Sequence, residues 1–349
     1  HHHFASFFYF YVMNPFIAFI KLIRLPNLLI IAFTQYAIRF AVVGSFLGVS
    51  GFELLMSELD FFLLSLSTVM IAAAGYIIND YFDTKVDRVN RPTKIIVGKY
   101  IKRRFCMGAH VVINTIAFAI AVYVAYKMGN IKLALIQFLS IGTLWYYSVY
   151  FKKQVLIGNV VVAILAALVP FVAGYYELIL QQANAVDTVN ITMFYVEQGT
   201  AFDDVMLLFQ QILQNIMQWV IGFSLFAFLS TIIREIIKDI EDFDGDKKYG
   251  SYTLPVVYGK SLAKKVAQGV AVLMMMILGY LQYQQILSND TTSFMYFLFA
   301  IQIPLGYIVF QLSKAQEKED YSKLSTYTKL IMLSGILYSF LFTYSLFQA

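Results

Sequence analysis

The sequence predicts an all-α, polytopic membrane protein, and three observations carry that prediction. Hydrophobic residues make up 60% of the 349-residue chain and charged residues only 13%, about half the charged share of a soluble domain. Mean hydropathy is +0.69. The apolar stretches run unbroken for about twenty residues, the length a helix needs to cross hydrocarbon. They lack the alternation of a barrel strand, and in lipid only a helix or a closed barrel satisfies its own backbone.

His1–His3 read as the remnant of an expression tag and Met13 as a candidate start. Residues 1–12 are therefore set aside as tag or leader, and 13–349 are taken as one transmembrane domain. Residues 14–26 carry Lys21 and Arg24 on an amphipathic stretch ahead of Pro26 and predict an interfacial helix. Nine spans follow, at about 27–48, 61–79, 104–126, 132–150, 155–179, 213–236, 263–286, 293–312 and 327–347. Only Lys152, Lys153 and Gln154 separate the fourth from the fifth. Residues 181–212, without Lys or Arg, form a long outer connection, with Phe202–Leu213 as a short amphipathic helix over the outer surface. Cys106 is the one cysteine, so neither an internal disulfide nor a cysteine metal site is available.

Charge distribution tests the nine-span arrangement. With a cytoplasmic N-terminus, every Lys and Arg except Lys127, Lys132 and Arg39 falls on the cytoplasmic side, while Glu53, Glu58, Asp60, Glu177, Asp187, Glu197, Asp203, Asp204 and Asp290 lie outside. That partition follows the positive-inside rule. Arg39, inside the first span, pairs with an outer acid such as Glu53 or Glu177.

Two acidic stretches interrupt this apolar pattern. Asn79, Asp83 and Asp87 are spaced i, i+4, i+8 and stack on one helix face, drifting about 40° per step. Three oxygen ligands on one face suit Mg²⁺, which keeps substrate phosphates among its ligands. Arg88, Arg91 and Lys94 follow and supply what a bound diphosphate needs. The second stretch places Asp239, Asp242 and Asp246 at i, i+3, i+7, one face if helical, with Gly245 permitting a turn. Arg234 and Lys238 precede it; Lys247 and Lys248 follow. So many carboxylates beside a bilayer require compensating cations. Tyr147, Ser148, Lys152 and Lys153 mark a third turn on the same side, followed by Gly158 and Asn159, and Arg24 and Asn27 flank the first span. The pattern contains no nucleic-acid-binding feature.

These motifs resemble the UbiA superfamily of intramembrane prenyltransferases. The first signature matches at Asn79-Asp80-x-x-Asp83-x-x-x-Asp87, continuing to Asn90-Arg91-Pro92 and Gly98. The second matches at Lys238-Asp239-x-x-Asp242-x-x-Gly245-Asp246, followed by Thr253-Leu254-Pro255-Val256 and Gly259. The stretch from Tyr147 to Asn159 resembles the family's third turn. The continuation Asp87-Arg88-x-Asn90-Arg91-Pro92 resembles the branch making digeranylgeranylglyceryl-phosphate-type ethers, or the chlorophyll side-chain branch, more than the quinone branches. The resemblance implies a nine-helix bundle around a central cavity open sideways to lipid, under a cytoplasmic cap. It implies two Mg²⁺ ions held by Asn79 and Asp83 on one side and by Asp242 and Asp246 on the other, with Asp87 and Asp239 assisting. Arg24, Asn27, Arg88, Arg91, Lys94, Lys152, Lys153 and Lys238 would grip the diphosphate, and Asp83, Asp87, Asp242, Lys152 and Tyr147 would carry catalysis. Substrates would be an isoprenyl diphosphate, geranylgeranyl diphosphate first, and a lipid acceptor of the prenylglyceryl phosphate kind. An aromatic acceptor and a terpene cyclase on the same scaffold remain alternatives. A cation transporter would place its charges at mid-bilayer rather than at one face beside basic residues.

Overall fold

The computed structural model describes residues 13–195 and 199–348, so the tag or leader expected at 1–12 lies outside the described residues. Those residues are helical almost throughout; the one β-type pairing among them is the isolated bridge between Val97 and Ile101. The helices are α1 (Pro15–Leu22), α2 (Leu25–Val49), α3 (Glu58–Asn90), α4 (Arg103–Lys127), α5 (Ala134–Val149), α6 (Ile157–Ala183), α7 (Ala185–Met193), α8 (Phe202–Glu241), α9 (Phe243–Lys248), α10 (Leu254–Leu287), α11 (Thr291–Lys314) and α12 (Lys318–Gln348). Eight of these described helices are long and apolar enough to cross a membrane. The fourth expected span, 132–150, is the 16-residue α5 preceded by the 3-10 turn Ile131–Leu133.

Several expected boundaries move for local reasons. The N-terminal helix, expected over 14–26, stops at Leu22 because Arg24 takes a left-handed conformation, φ 54°. Its start is capped by Asn14, whose side chain accepts from the Phe16 amide at 2.8 Å. Pro26 then sits in the first turn of α2, where its missing N–H costs nothing. The outer connection expected over 181–212 is largely helical. Its proposed short helix, 202–213, is the first third of the 40-residue α8. Gly259 kinks the start of α10, with φ 86°.

Helix α8 is the spine, packing against α6, α10 and α12, while α3 packs on α4 and α5. One apolar core fills the end of the bundle built from α2, α3, α6, α7 and the first half of α8, around Val42, Leu64, Val172, Phe209 and Val220. A second joins the other half of α8 to α10, α11 and α12 around Ile233, Met274, Ile301 and Tyr338. A small third core, with Leu22, Ile77, Val97 and Cys106, seats α1 and the 95–102 segment against α3 and α4.

The first core surrounds a charged knot. Arg39, 1% exposed, lies 3.1 Å from Glu58 and 3.8 Å from Glu177, and donates to the Met56 carbonyl at 2.6 Å. Glu177 also accepts the amides of Leu55 and Met56 and the Gln181 side chain. Of the two acids expected for Arg39, Glu177 is a partner and Glu53 contributes only its backbone carbonyl, to Gln181. Removing one member of such a buried pair leaves an uncompensated charge, at about 3–5 kcal/mol. Glu177→Ala is therefore expected to lower the thermal midpoint in detergent sharply, with Arg39→Met/Glu177→Leu recovering much of the loss. A double variant no more stable than the single one would count against this account.

Candidate active site

The two acidic stretches meet at the other end of the bundle. Helix α3 stays helical through Asn90, so Asn79, Asp83 and Asp87 do share one face. The second stretch behaves differently. Helix α8 ends at Glu241, Asp242 leaves helical geometry, and α9 starts at Phe243. Asp239, Asp242 and Asp246 are therefore distributed over a helix, a break and a second helix, rather than along one face. The break falls at Asp242, not at Gly245.

Gly245 has another role. A Cβ there would stand 2.3 Å from the Asn90 side-chain oxygen. The absence of a side chain lets Asn90 insert: its Oδ1 accepts from the Gly245 amide at 3.0 Å and its Nδ2 donates to the Asp242 carbonyl at 3.1 Å. The next residue completes the seam. Arg91 donates to Asp242 Oδ2 at 2.6 Å, and Lys318 at the start of α12 donates to the Asn90 carbonyl at 2.7 Å. The end of the first stretch thus clamps the turn of the second.

Lys152 occupies the space between them. It sits on the 3-10 turn Phe151–Lys153, and Gly158 supports that turn, since a Cβ at 158 would lie 2.7 Å from the Lys152 Cα. Its ammonium pairs with Asp83 and lies 3.3 Å from Asn79 Oδ1, while Asn79 donates to Asp83 at 2.9 Å. Burial alone would lower the Lys152 pKa, but Asp83, Asp87 and Asp246 outweigh it and raise it. Asp239 accepts from Asn159 at 2.8 Å, and Asp246 from Thr253 at 3.3 Å. Tyr147 lies within electrostatic range of Glu235, Asp239, Asp83 and Arg24.

Other expected residues are arranged differently. Arg24 is committed to Asp80, at 2.8 Å, and Lys238 to Glu235, at 3.5 Å. Asn27, Arg88, Lys94 and Lys153 make no side-chain hydrogen bond or ion pair among the described residues. Arg88 lines a separate surface hollow with Thr84, Ile95 and Lys99. Lys153 is exposed, and only its carbonyl is engaged, by the Tyr252 amide at 2.8 Å. Sequence reasoning missed the bridging parts played by Asn90, Asn159 and Lys318. Asn90 and Asn159 lie inside the motif stretches, but no spacing rule assigns a partner to an asparagine.

The donor set suits a hard cation. Asp242 Oδ1 is buried with no partner, an orphan that a cation would satisfy. Asp246 is pushed up to about 6 by burial and by the neighbouring Asp242. Among the described residues no three carboxylate, His or Cys side chains already converge on one metal point, because Asp83 and Asp242 are each turned onto a basic partner.

A helical membrane bundle with paired carboxylate stretches and internal cations at one end defines an intramembrane enzyme acting on a charged phosphate compound. The chain matches the UbiA prenyltransferase family over residues 37–335, and it belongs to that family: it is a prenyltransferase and an integral membrane protein. It is 28% identical to a digeranylgeranylglyceryl phosphate synthase of Methanosphaera stadtmanae over 92% of this chain and 96% of that one. A solved digeranylgeranylglyceryl phosphate synthase structure is similar in fold, with TM-score 0.56 and 24% identity over 95% of this chain and all of that one. So is a UbiA homologue of Archaeoglobus fulgidus solved with DMAPP and Mg²⁺, with TM-score 0.52 and 17% identity over 92% and 98%.

The raised Asp246 pKa sets a pH dependence. The cation-free protein holds a proton there below about pH 6, which a metal bound there would displace. Proton release from Asp246 is expected to contribute a rise in Mg²⁺ affinity with pH up to about 6, of at most about tenfold per unit. Calorimetric titration at pH 5, 6 and 7 checks this, and Asp246→Asn should flatten that slope as well as weaken binding.

Proposed function

We propose that this chain transfers a geranylgeranyl group from its diphosphate to the hydroxyl of a prenylglyceryl phosphate, with two Mg²⁺ ions. The observation that carries the proposal is the seam from Asn90 and Arg91 to Asp242 and Gly245, with Lys152 inside it. It gathers carboxylates from both halves of the chain at one place, beside two cations suited to phosphate. Named relatives support the acceptor class, since the Methanosphaera stadtmanae protein is a digeranylgeranylglyceryl phosphate synthase. The Archaeoglobus fulgidus homologue's DMAPP and Mg²⁺ support the donor and the metal.

Asn79, Asp83 and Asp87 would hold one ion and Asp239, Asp242 and Asp246 the other. Bound there, Mg²⁺ supplies charge neutralisation to the departing diphosphate. The protein's own groups do the rest. Lys152 and Arg91, now resting on Asp83 and Asp242, exchange those carboxylates for diphosphate oxygens. Arg91 offers a fork and Lys152 a point charge. The allylic C1–O bond breaks with its electron pair going to the diphosphate, and the acceptor oxygen bonds to C1. The hydroxyl proton is taken up by the released diphosphate. Tyr147, in range of the charged groups, offers an aromatic face to the transient allylic cation.

The proposal includes orientation and span count. Helix α5 starts in the core around the Arg39 knot, where the Tyr176 hydroxyl donates to the Leu133 carbonyl at 3.0 Å, and the chain just after it carries Lys152. Sixteen helical residues and a three-residue 3-10 turn extend about 30 Å, one hydrocarbon thickness, which supports α5 as a ninth crossing. The concentration of Lys and Arg at the site end supports a cytoplasmic active site and N-terminus.

Asp83→Ala and Asp242→Ala are each expected to reduce turnover by more than about a thousandfold, with the protein still folded and extractable. Full activity in both would remove this site from the reaction. Labelled geranylgeranyl diphosphate and a prenylglyceryl phosphate should give a doubly prenylated lipid ether. A prenylated aromatic acid, or a hydrocarbon, would assign the chain to another reaction.

A further inference from the structure

Beside the acidic group lies a second set of charges with an excess of cations. Glu235, 8% exposed, pairs with Arg234 at 2.5 Å and Lys238 at 3.5 Å. Arg24 also acts on it, while holding Asp80. Lys329, on α12, lies within electrostatic range of Arg234, Lys238, Arg24 and Glu235 and has no hydrogen-bond or ion-pair partner among the described residues. Arg234 Nε is buried and has no partner either. Three separate parts of the chain thus bring four cations to a group whose direct ion-pair partners are only Glu235 and Asp80, an excess of two positive charges among these six side chains.

That balance is costly in an apolar bundle. Like charges repel more strongly where the effective dielectric is low, and an ionisable residue on a spanning helix is expensive unless a partner or ligand compensates it. Lys329 sits where the polar start of α12 gives way to its apolar run, just before Leu330, Ile331, Met332 and Leu333. A phosphate monoester carries about −1.5 to −2 at neutral pH, which matches the excess. Arginine and lysine together suit it, one as a fork and the other as a point charge.

The placement is suited to a second substrate. Tyr147 is in range of both Glu235 and Asp83. Lys238 is influenced both by Arg234 and Glu235 and by Arg91 and Asp242. The two charged groups therefore border one common space. Helix α12 packs against α2, and Lys329 is exposed on it while within range of Arg24 at the start of α2, so this group reaches the seam between those two helices.

We propose that Arg234, Lys238 and Lys329, with Arg24, form a second anion subsite that holds the phosphate monoester of the acceptor, apart from the Lys152 and Arg91 subsite for the donor diphosphate. This rests on the glyceryl phosphate reading above. It reassigns Arg24 and Lys238, expected from sequence to grip the diphosphate, to the other substrate. Two separate anion subsites would orient the acceptor with its phosphate away from the leaving diphosphate and its hydroxyl toward C1.

The test uses the full chain in detergent with geranylgeranyl diphosphate as donor. Acceptors are geranylgeranylglyceryl phosphate and the same lipid lacking its phosphate. Arg234→Gln and Lys329→Met should each raise KM for the phosphorylated acceptor about tenfold, the loss of one charge-assisted contact, and leave the donor KM within about twofold. The preference for the phosphorylated acceptor should shrink in both, and Arg234→Lys should restore part of it. An unchanged acceptor KM, or a rise in donor KM alone, overturns the subsite. Should the wild type prenylate neither lipid, the glyceryl phosphate reading fails and binding decides the subsite. Inorganic phosphate, without Mg²⁺, should then raise the thermal midpoint of the wild type but not of Arg234→Gln/Lys329→Met. Equal shifts in both proteins overturn it.

Discussion

Everything at the active end depends on one amide side chain. Asn90 is the last residue of a 33-residue helix, and it bonds both the Asp242 carbonyl and the Gly245 amide, 152 and 155 positions further on. Those two backbone groups lie at the break between α8 and α9, where helix ends leave donors and acceptors unsatisfied. One asparagine satisfies the Gly245 amide and adds a second bond to the Asp242 carbonyl, which already accepts from the Asp246 amide. It fixes the turn against α3 and thereby sets the separation between the two sets of carboxylates. Gly245 is required because any Cβ would occupy the space of the asparagine oxygen.

The electrostatics follow from this fixed separation. Acids brought together in an apolar bundle raise each other's cost of ionisation, and the structure offsets that with cations drawn from elsewhere. Lys152 comes from a turn, Arg91 from beyond the end of α3 and Arg24 from the left-handed joint before α2. Such pairs are exchangeable. In the proposed reaction, each carboxylate that released its lysine or arginine to a phosphate would become available to a divalent ion, so metal and anionic substrate would favour each other's binding. At the buried, unpartnered oxygen of Asp242 this internal compensation of the acids is incomplete.

Much of this was legible in the sequence. Unbroken apolar runs gave the helices, and the i, i+4 spacing of Asn79, Asp83 and Asp87 gave a shared face because α3 continues past the apolar run to Asn90. The same rule failed on the second stretch, since spacing assumes an uninterrupted helix and Asp242 breaks it. Charged residues in the motifs were identified as a set, but not sorted. Lys152 and Lys153 are adjacent and chemically alike, yet a 3-10 turn directs one into the site and the other outward. The outer connection was misread because its amides and acids, without Lys or Arg, suggested a loop, whereas Val205, Phe209 and Ile212 are buried against the core and extend α8.

The Arg39 knot has a mechanical consequence. Its ion pairs and backbone contacts tie α2, the 50–57 segment, α3 and α6 together far from the chemistry, and pulling them apart would strand charge in a greasy interior. The helices are thus tethered at one extremity. Whatever breathing admits a long isoprenoid tail must come from splaying at the opposite extremity, where polar links can be remade with the entering molecule.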